Sequence, residues 1–165
     1  MEGTRVLIAL GSNLGDRAGF LLAGLARLSA LKGFAPGRLS LVYETEPVGP
    51  AGQGPYLNAV LEGESALAPR ALLDALLAIE RALGRVRDHR WGPRTLDLDL
   101  LDYGGQVLRE PGLELPHPRL LERAFVLVPL ADLQPDWRHP TLKRSARELL
   151  AQLNTAGVRP WRPRY

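Results

Sequence analysis

Residues 95–103, TLDLDLLDY, read as a largely buried β-strand that nevertheless carries Asp97 and Asp99 among its leucines. Side chains two apart in a strand share a face, so these two carboxylates project together, about 6.6–6.8 Å apart along the strand axis. Unpaired, they repel each other and lose hydration at a sheet surface. A plain solution would be a salt bridge from each to a neighbouring arginine, with no chemistry attached. The segment immediately upstream suggests another, because it holds Arg85, Arg87, Arg90 and Arg94 with Trp91. Hard divalent cations such as Mg²⁺ take one or two carboxylates plus substrate phosphates, and arginines clamp the remaining phosphate charge. Paired aspartates beside an arginine-rich loop therefore point to a nucleotide-phosphate site. No G-x-x-x-x-G-K-[ST] loop occurs in the chain, and GSNLGD fits no dinucleotide fingerprint.

The elements that must position these groups follow from periodicity. Residues 4–11 form a first strand and SNLGDR a turn, with Asp16 capping a helix over 17–32 whose Leu21, Leu22, Leu25 and Leu28 share a face. A strand at 37–45 and the loop EPVGPAGQGP at 46–55 come next, followed by a strand at 56–66. Pro69 opens a helix over 69–83, the loop 84–94 follows, and the aspartate strand closes the set. The order β-α-β-β-α-β predicts an α+β, ferredoxin-like sandwich: a mainly antiparallel sheet with two helices on one face and a C-terminal extension. In that extension a hairpin-like stretch falls at 106–110 and a helix near 143–152, while VRPWRPRY carries no clear signal. His89 and His139 read as surface residues.

Composition bounds the rest. The chain has 165 residues, 45% hydrophobic and 24% charged, which suits one globular domain over 1–165. It has no cysteine, which removes disulfides, thiolate metal sites and a cysteine nucleophile and fits a reducing cytoplasm. No apolar run approaches the length of a membrane span. The net charge is +3, and 19 of the 21 basic residues are arginine, so a bound phosphate would be held by guanidinium groups and backbone amides.

Five collinear segments, RWGPRTLDLDLL, LGSNLGDR, YETEPVGPAGQGPYLNAV, IERALGRVR and LPHPRLLERAFVLVPLADLQP, together resemble the 6-hydroxymethyl-7,8-dihydropterin pyrophosphokinase family across roughly residues 5–135. That family is ferredoxin-like, in agreement with the pattern above. The resemblance implies transfer of the β,γ-pyrophosphoryl unit of ATP to the pterin hydroxymethyl group, with release of AMP, in folate biosynthesis. It implies that Asp97 and Asp99 hold two Mg²⁺ ions. By the same resemblance Arg85, Arg94, His117 and Arg123 contact ATP phosphates, the first two as catalytic residues. Tyr56 and Phe125 sandwich the pterin, Asn58 reads its donor–acceptor edge, Thr45 and Val48 contact the ring, and Trp91 closes over it. Loops 46–55 and 84–94 are then candidate lids.

The chain departs from the family pattern in three places. Its arginine loop is one residue shorter, Pro118 stands where relatives carry a tyrosine, and Gly112 and Glu114 replace polar ATP-side contacts. The expected partners are ATP and reduced pterin, with no nucleic acid or membrane. The expected state is a monomer, with association with other folate-pathway enzymes left open. Two alternatives remain at this point. A nucleic-acid-binding ferredoxin-like module would suit the basic charge but lacks the paired strand aromatics of an RNA-binding sheet. A catalytically silent pterin-binding domain is opposed by the intact Asp97, Asp99, Arg85 and Arg94.

Overall fold

The computed structural model describes residues 3–46, 54–84 and 95–162. Arg85, Arg94, Trp91 and Val48, with most of both candidate lids, lie outside the described residues. Strand β1 (Thr4–Ser12) leads into α1 (Arg17–Ala30), β2 (Phe34–Leu39), β3 (Tyr43–Thr45) and β4 (Tyr56–Ser65). Helix α2 (Pro69–Ala82) precedes β5 (Asp97–Tyr103), and a small hairpin, β6 (Leu108–Glu110) with β7 (Leu113–Leu115), follows. A 3-10 turn (Leu120–Glu122), α3 (Ala124–Leu133), α4 (Ala146–Leu150) and β8 (Val158–Pro160) complete the order.

Among the described residues the main sheet runs β5-β1-β4-β3-β8, with β2 also on β4. Every pairing in it is antiparallel. This is the expected ferredoxin-like arrangement. Asp16 caps α1 by accepting the Gly19 amide at 3.0 Å, and Gly24, a buried residue of α1, lets the helix approach Leu96: an added Cβ would come 2.9 Å from that side chain. Val6, Ile8, Leu10, Leu61, Leu98 and Leu100 meet Leu21 and Leu28 of α1 and Leu72, Leu76 and Ile79 of α2 in one core. On the opposite face Leu7, Ala9, Val60 and Leu101 pack against Val126, Leu127 and Leu130 of α3 and Leu149 of α4. One face of the sheet is therefore covered by α1 and α2, and part of the other by α3 with α4.

Four expectations are corrected. The strand at 37–45 is the end of β2 and the whole of β3: the ladder breaks at residues 40–42, where the Ser40 hydroxyl accepts the Val60 amide at 2.9 Å. The helix near 143–152 shrinks to one capped turn and a little more, set by a reciprocal Ser145–Glu148 capping box. His139 is buried, not exposed, at 6% of its accessible area; Nδ1 accepts the Thr141 and Leu142 amides at 3.3 and 3.2 Å. Val158–Pro160, at the start of the tail that carried no clear signal, form β8 against β3.

Candidate active site

The register of three strands builds the site. Gly11 of β1 faces Asn58 of β4 on one side and Asp97 of β5 on the other. Antiparallel partners share a face, so Asn58, Gly11 and Asp97 form one row across the sheet. Their spacing follows from the strand separation, placing Asn58 and Asp97 about 9–10 Å apart with a glycine between. An added Cβ on Gly11 would come 2.8 Å from Asn58 Oδ1, so only glycine keeps this floor open without moving the amide. Asn58 is buried, and its Nδ2 donates to Thr45 Oγ1 at 2.7 Å. Tyr56, the register partner of Thr45, stands in the neighbouring row on the same face, and an added Cβ on Gly11 would come 3.5 Å from its ring. The next row, Asp99–Ala9–Val60, marks where cover by α3 begins.

The aspartate strand obeys the predicted alternation. Leu98 and Leu100 enter the α1–α2 core, while Asp97 and Asp99 remain half-buried on the other face. Beyond them a bulge intervenes, where Leu7 pairs with Asp102 but Ile8 with Leu100. Leu101 and Asp102 are buried past that point. The β5 edge is managed by Glu80 of α2, a buried carboxylate that accepts the Leu98 amide at 2.7 Å. This tie falls between the two aspartates and anchors the strand that carries them.

Two groups from the C-terminal segment, Arg123 and His117, come close to Asp99. Arg123, the residue preceding α3, sets its Nη1 3.5 Å from Asp99 Oδ2, a loose ion pair. The same guanidinium lies over the Phe125 ring with Cζ 5.5 Å from its centroid. His117 donates its amide to the Leu101 carbonyl at 2.9 Å, which ties it to β5. Its Nδ1 accepts the Arg119 amide at 3.2 Å, so the neutral ring carries its proton on Nε2. Burial holds the imidazole below its usual range, helped by Arg123 and Arg119 and opposed by Asp99 and Glu114.

Behind Asp99 a cavity of about 370 Å³ opens between α2, the outer edge of β5 and the β6–β7 hairpin. Such a volume suits a small-molecule ligand. Its walls include Leu73 and Leu77 of α2, Leu100 of β5 and His117. Gly112, Glu114 and Pro118, the positions at which the chain departs from the family pattern, also line it. Arg70 holds the hairpin in place, donating to Glu110 at 3.1 Å and to the Pro111 carbonyl at 2.8 Å. The sequence-selected residues thus divide into a flat polar floor (Asn58, Thr45, Tyr56), a carboxylate pair, and a cluster of His117, Arg123 and Phe125 at the C-terminal side. Gly11 and Glu80 escaped the sequence reading. An acidic residue on the apolar stripe of α2 was the available signal for Glu80. Gly11 had none, since only register reveals its neighbours.

A ferredoxin-like α+β sheet with a carboxylate pair between a polar floor and a cavity of about 370 Å³ has a geometry suited to phosphoryl transfer. The family model for 7,8-dihydro-6-hydroxymethylpterin-pyrophosphokinase (HPPK) matches residues 7–135, and the chain belongs to that family. Relatives named 2-amino-4-hydroxy-6-hydroxymethyldihydropteridine pyrophosphokinase include one from Pseudomonas aeruginosa, 48% identical over 93% of this chain and 94% of its own. Another, from Methylorubrum extorquens, is 43% identical over 94% of this chain and 97% of its own. A crystal structure of Plasmodium falciparum HPPK-DHPS superposes with a TM-score of 0.73 at 14% identity. It covers 92% of this chain, which spans only 45% of that longer one.

Proposed function

We infer that the chain moves a pyrophosphoryl group from ATP to the hydroxymethyl group of 6-hydroxymethyl-7,8-dihydropterin, releasing AMP, as a step of folate biosynthesis. The supporting observation is the position of Asp97 and Asp99, with the Asn58–Gly11 floor beside one and the β5-edge cavity behind the other. In this reading the pterin lies over Gly11, its edge read by the Asn58 amide that Thr45 orients. Tyr56 and Phe125 cover its two faces, where a heteroaromatic ring offers stacking area. Val48 and Trp91, outside the described residues, are assigned to the pterin by the family resemblance alone. The nucleotide occupies the cavity, its base against the leucines and its phosphates toward Asp99. His117 Nε2–H donates to a phosphate oxygen, and Arg123, Arg85 and Arg94 offset the remaining charge.

The carboxylate pair fits Mg²⁺, two ions in this reading. Among the described residues no cluster of three or more His, Cys, Asp or Glu side chains forms. Two hard oxygen donors with an incomplete shell are what a cation delivered on phosphates requires. Bound there, Mg²⁺ would neutralise triphosphate charge as it redistributes toward the leaving AMP. Asp97 and Asp99 hold that charge in register with β1, and Glu80 steadies the strand beneath them.

The chain is read as one pyrophosphokinase domain, monomeric and cytoplasmic. No helix among the described residues is long and apolar enough to cross a membrane. The direct test combines protein, ATP, Mg²⁺ and the reduced hydroxymethyl pterin. AMP should appear in step with pterin diphosphate. ADP in its place would mean single-phosphate transfer, and pterin binding without any product would mean a silent domain.

A further inference from the structure

Arg17, the last residue of the SNLGDR turn and the first of α1, has no task in the reaction described above. Its Nη1 donates to Glu44 Oε2 at 2.8 Å and to the Pro55 carbonyl at 2.9 Å. Glu44 immediately precedes Thr45, and Pro55 immediately precedes Tyr56, the register partner of Thr45. One guanidinium nitrogen therefore ties together the two places where the chain leaves β3 and enters β4. Asn13 of the same turn adds a weaker tie, its Nδ2 donating to the Gly54 carbonyl at 3.3 Å. From the other side Arg159 of β8 donates to Glu44 Oε1 at 2.7 Å and to Glu46 Oε1 at 3.2 Å. Glu44 is thus gripped at both oxygens. Its carboxyl is held below the usual range, by the Arg17 hydrogen bond first, against burial, and then by Arg159. Arg17 is only 26% exposed along its side chain and Glu44 18%, so this pair is less screened than an ordinary surface bridge.

We propose that Arg17 is a positioning residue for the pterin site: it fixes β3 against β4 so that Thr45 meets Asn58 and Tyr56 keeps its place beside Gly11. This rests on the reading of Thr45, Tyr56 and Asn58 as pterin contacts. Arg17 touches neither substrate and acts through the residues that follow its two partners. A mere helix-to-sheet staple would change stability and leave the balance between the two substrates as it was.

The test is steady-state kinetics of Arg17→Met and Arg17→Lys with each substrate varied in turn. Arg17→Met keeps the stem and removes the donors; the pterin KM should rise roughly tenfold, about 1.4 kcal/mol. Its kcat and ATP KM should stay within about twofold, since no group acting only in the transition state is lost. Arg17→Lys should recover most of the pterin KM, because one ammonium can donate to both oxygens. Equal rises in both KM values, a fall in kcat alone, or no recovery with lysine would overturn the proposal. Should Arg17→Met not fold, Glu44→Gln carries the same test, with a smaller pterin-specific rise expected and an unchanged pterin KM sinking the idea. Asn58→Ala separates the two layers of inference. If it leaves the pterin KM unchanged, the pocket assignment has failed. If it raises that KM while Arg17→Met does not, only the role of Arg17 has failed.

Discussion

The two faces of the central sheet are built from the same strands and end differently. Against α1 and α2 the neighbouring strands β1, β4 and β5 contribute Val6, Ile8, Leu10, Leu57, Leu61, Leu98 and Leu100, all of them buried. The opposite face is apolar only at one end, where Leu7, Val60 and Leu101 meet α3 and α4. At its other end stand Asn58, Gly11, Asp97 and Asp99. The covering helix does not extend there; only its leading residues, Arg123 and Phe125, reach over the rim. The candidate active site is thus a stretch of sheet face from which core has been withheld. The closed face supplies the stability that lets the open end carry unfavourable charge.

Substitutions on adjacent residues of β5 should separate the two faces most sharply. Asp97→Ala or Asp99→Ala should leave the melting transition near its original position and lower kcat by about 10²–10³-fold or more. One residue away, Leu98→Ala should cost about 2–5 kcal/mol of stability by opening a cavity beneath α1 and α2. Chemical denaturation and turnover measured on the same preparations give both numbers. Near-normal turnover with Mg²⁺ in either aspartate variant would remove the metal role, and a large stability loss in them would mean the open end is structural after all.

A smaller effect should come from closing the floor. Gly11→Ala pushes a methyl against Asn58 Oδ1 and should weaken pterin binding roughly tenfold. ATP binding, measured separately by calorimetry, should not follow. Equal losses for both ligands would place the pterin elsewhere.

The mildest test concerns the far end of the same strand, where carboxylate burial has no catalytic return. Burial pushes the Asp102 carboxyl up, while the Trp137 indole, the Gly105 amide and His139 draw it down only in part. Its Oδ1 is buried without a hydrogen-bond partner. A carboxyl with a raised folded value binds its proton more tightly in the folded state. Its contribution is therefore full below the ordinary aspartate range and is lost as pH rises through the raised value. Asp102→Asn should escape that loss, so the variant should gain stability relative to the parent as pH rises from about 4 to 7. Urea titrations across that range that show a constant difference would mean that Asp102 is not destabilised by ionisation.

Much of this organisation was legible in the chain itself. Period-two alternation with two acidic interruptions announced β5 and the face its aspartates share. The leucine stripes of α1 and α2 announced the closed face. Helix α3 was not legible, because AFVLVPLADL is apolar on several sides and contains Pro129, which leaves no helical stripe to count. β8 was not legible either, since Val158–Pro160 becomes a strand only by pairing with β3 and by the Arg159 contacts to Glu44 and Glu46.

What local order alone determined is therefore the list of elements and the pairing of residues two or four apart, because backbone geometry sets those periodicities without reference to the rest of the molecule. Tertiary structure decided which residues stand beside one another across strands. Gly11 between Asn58 and Asp97, Glu80 on the Leu98 amide, and Arg17 spanning Glu44 and Pro55 depend on register and helix docking. These are settled by burial summed over the whole fold, and no short window of residues encodes them.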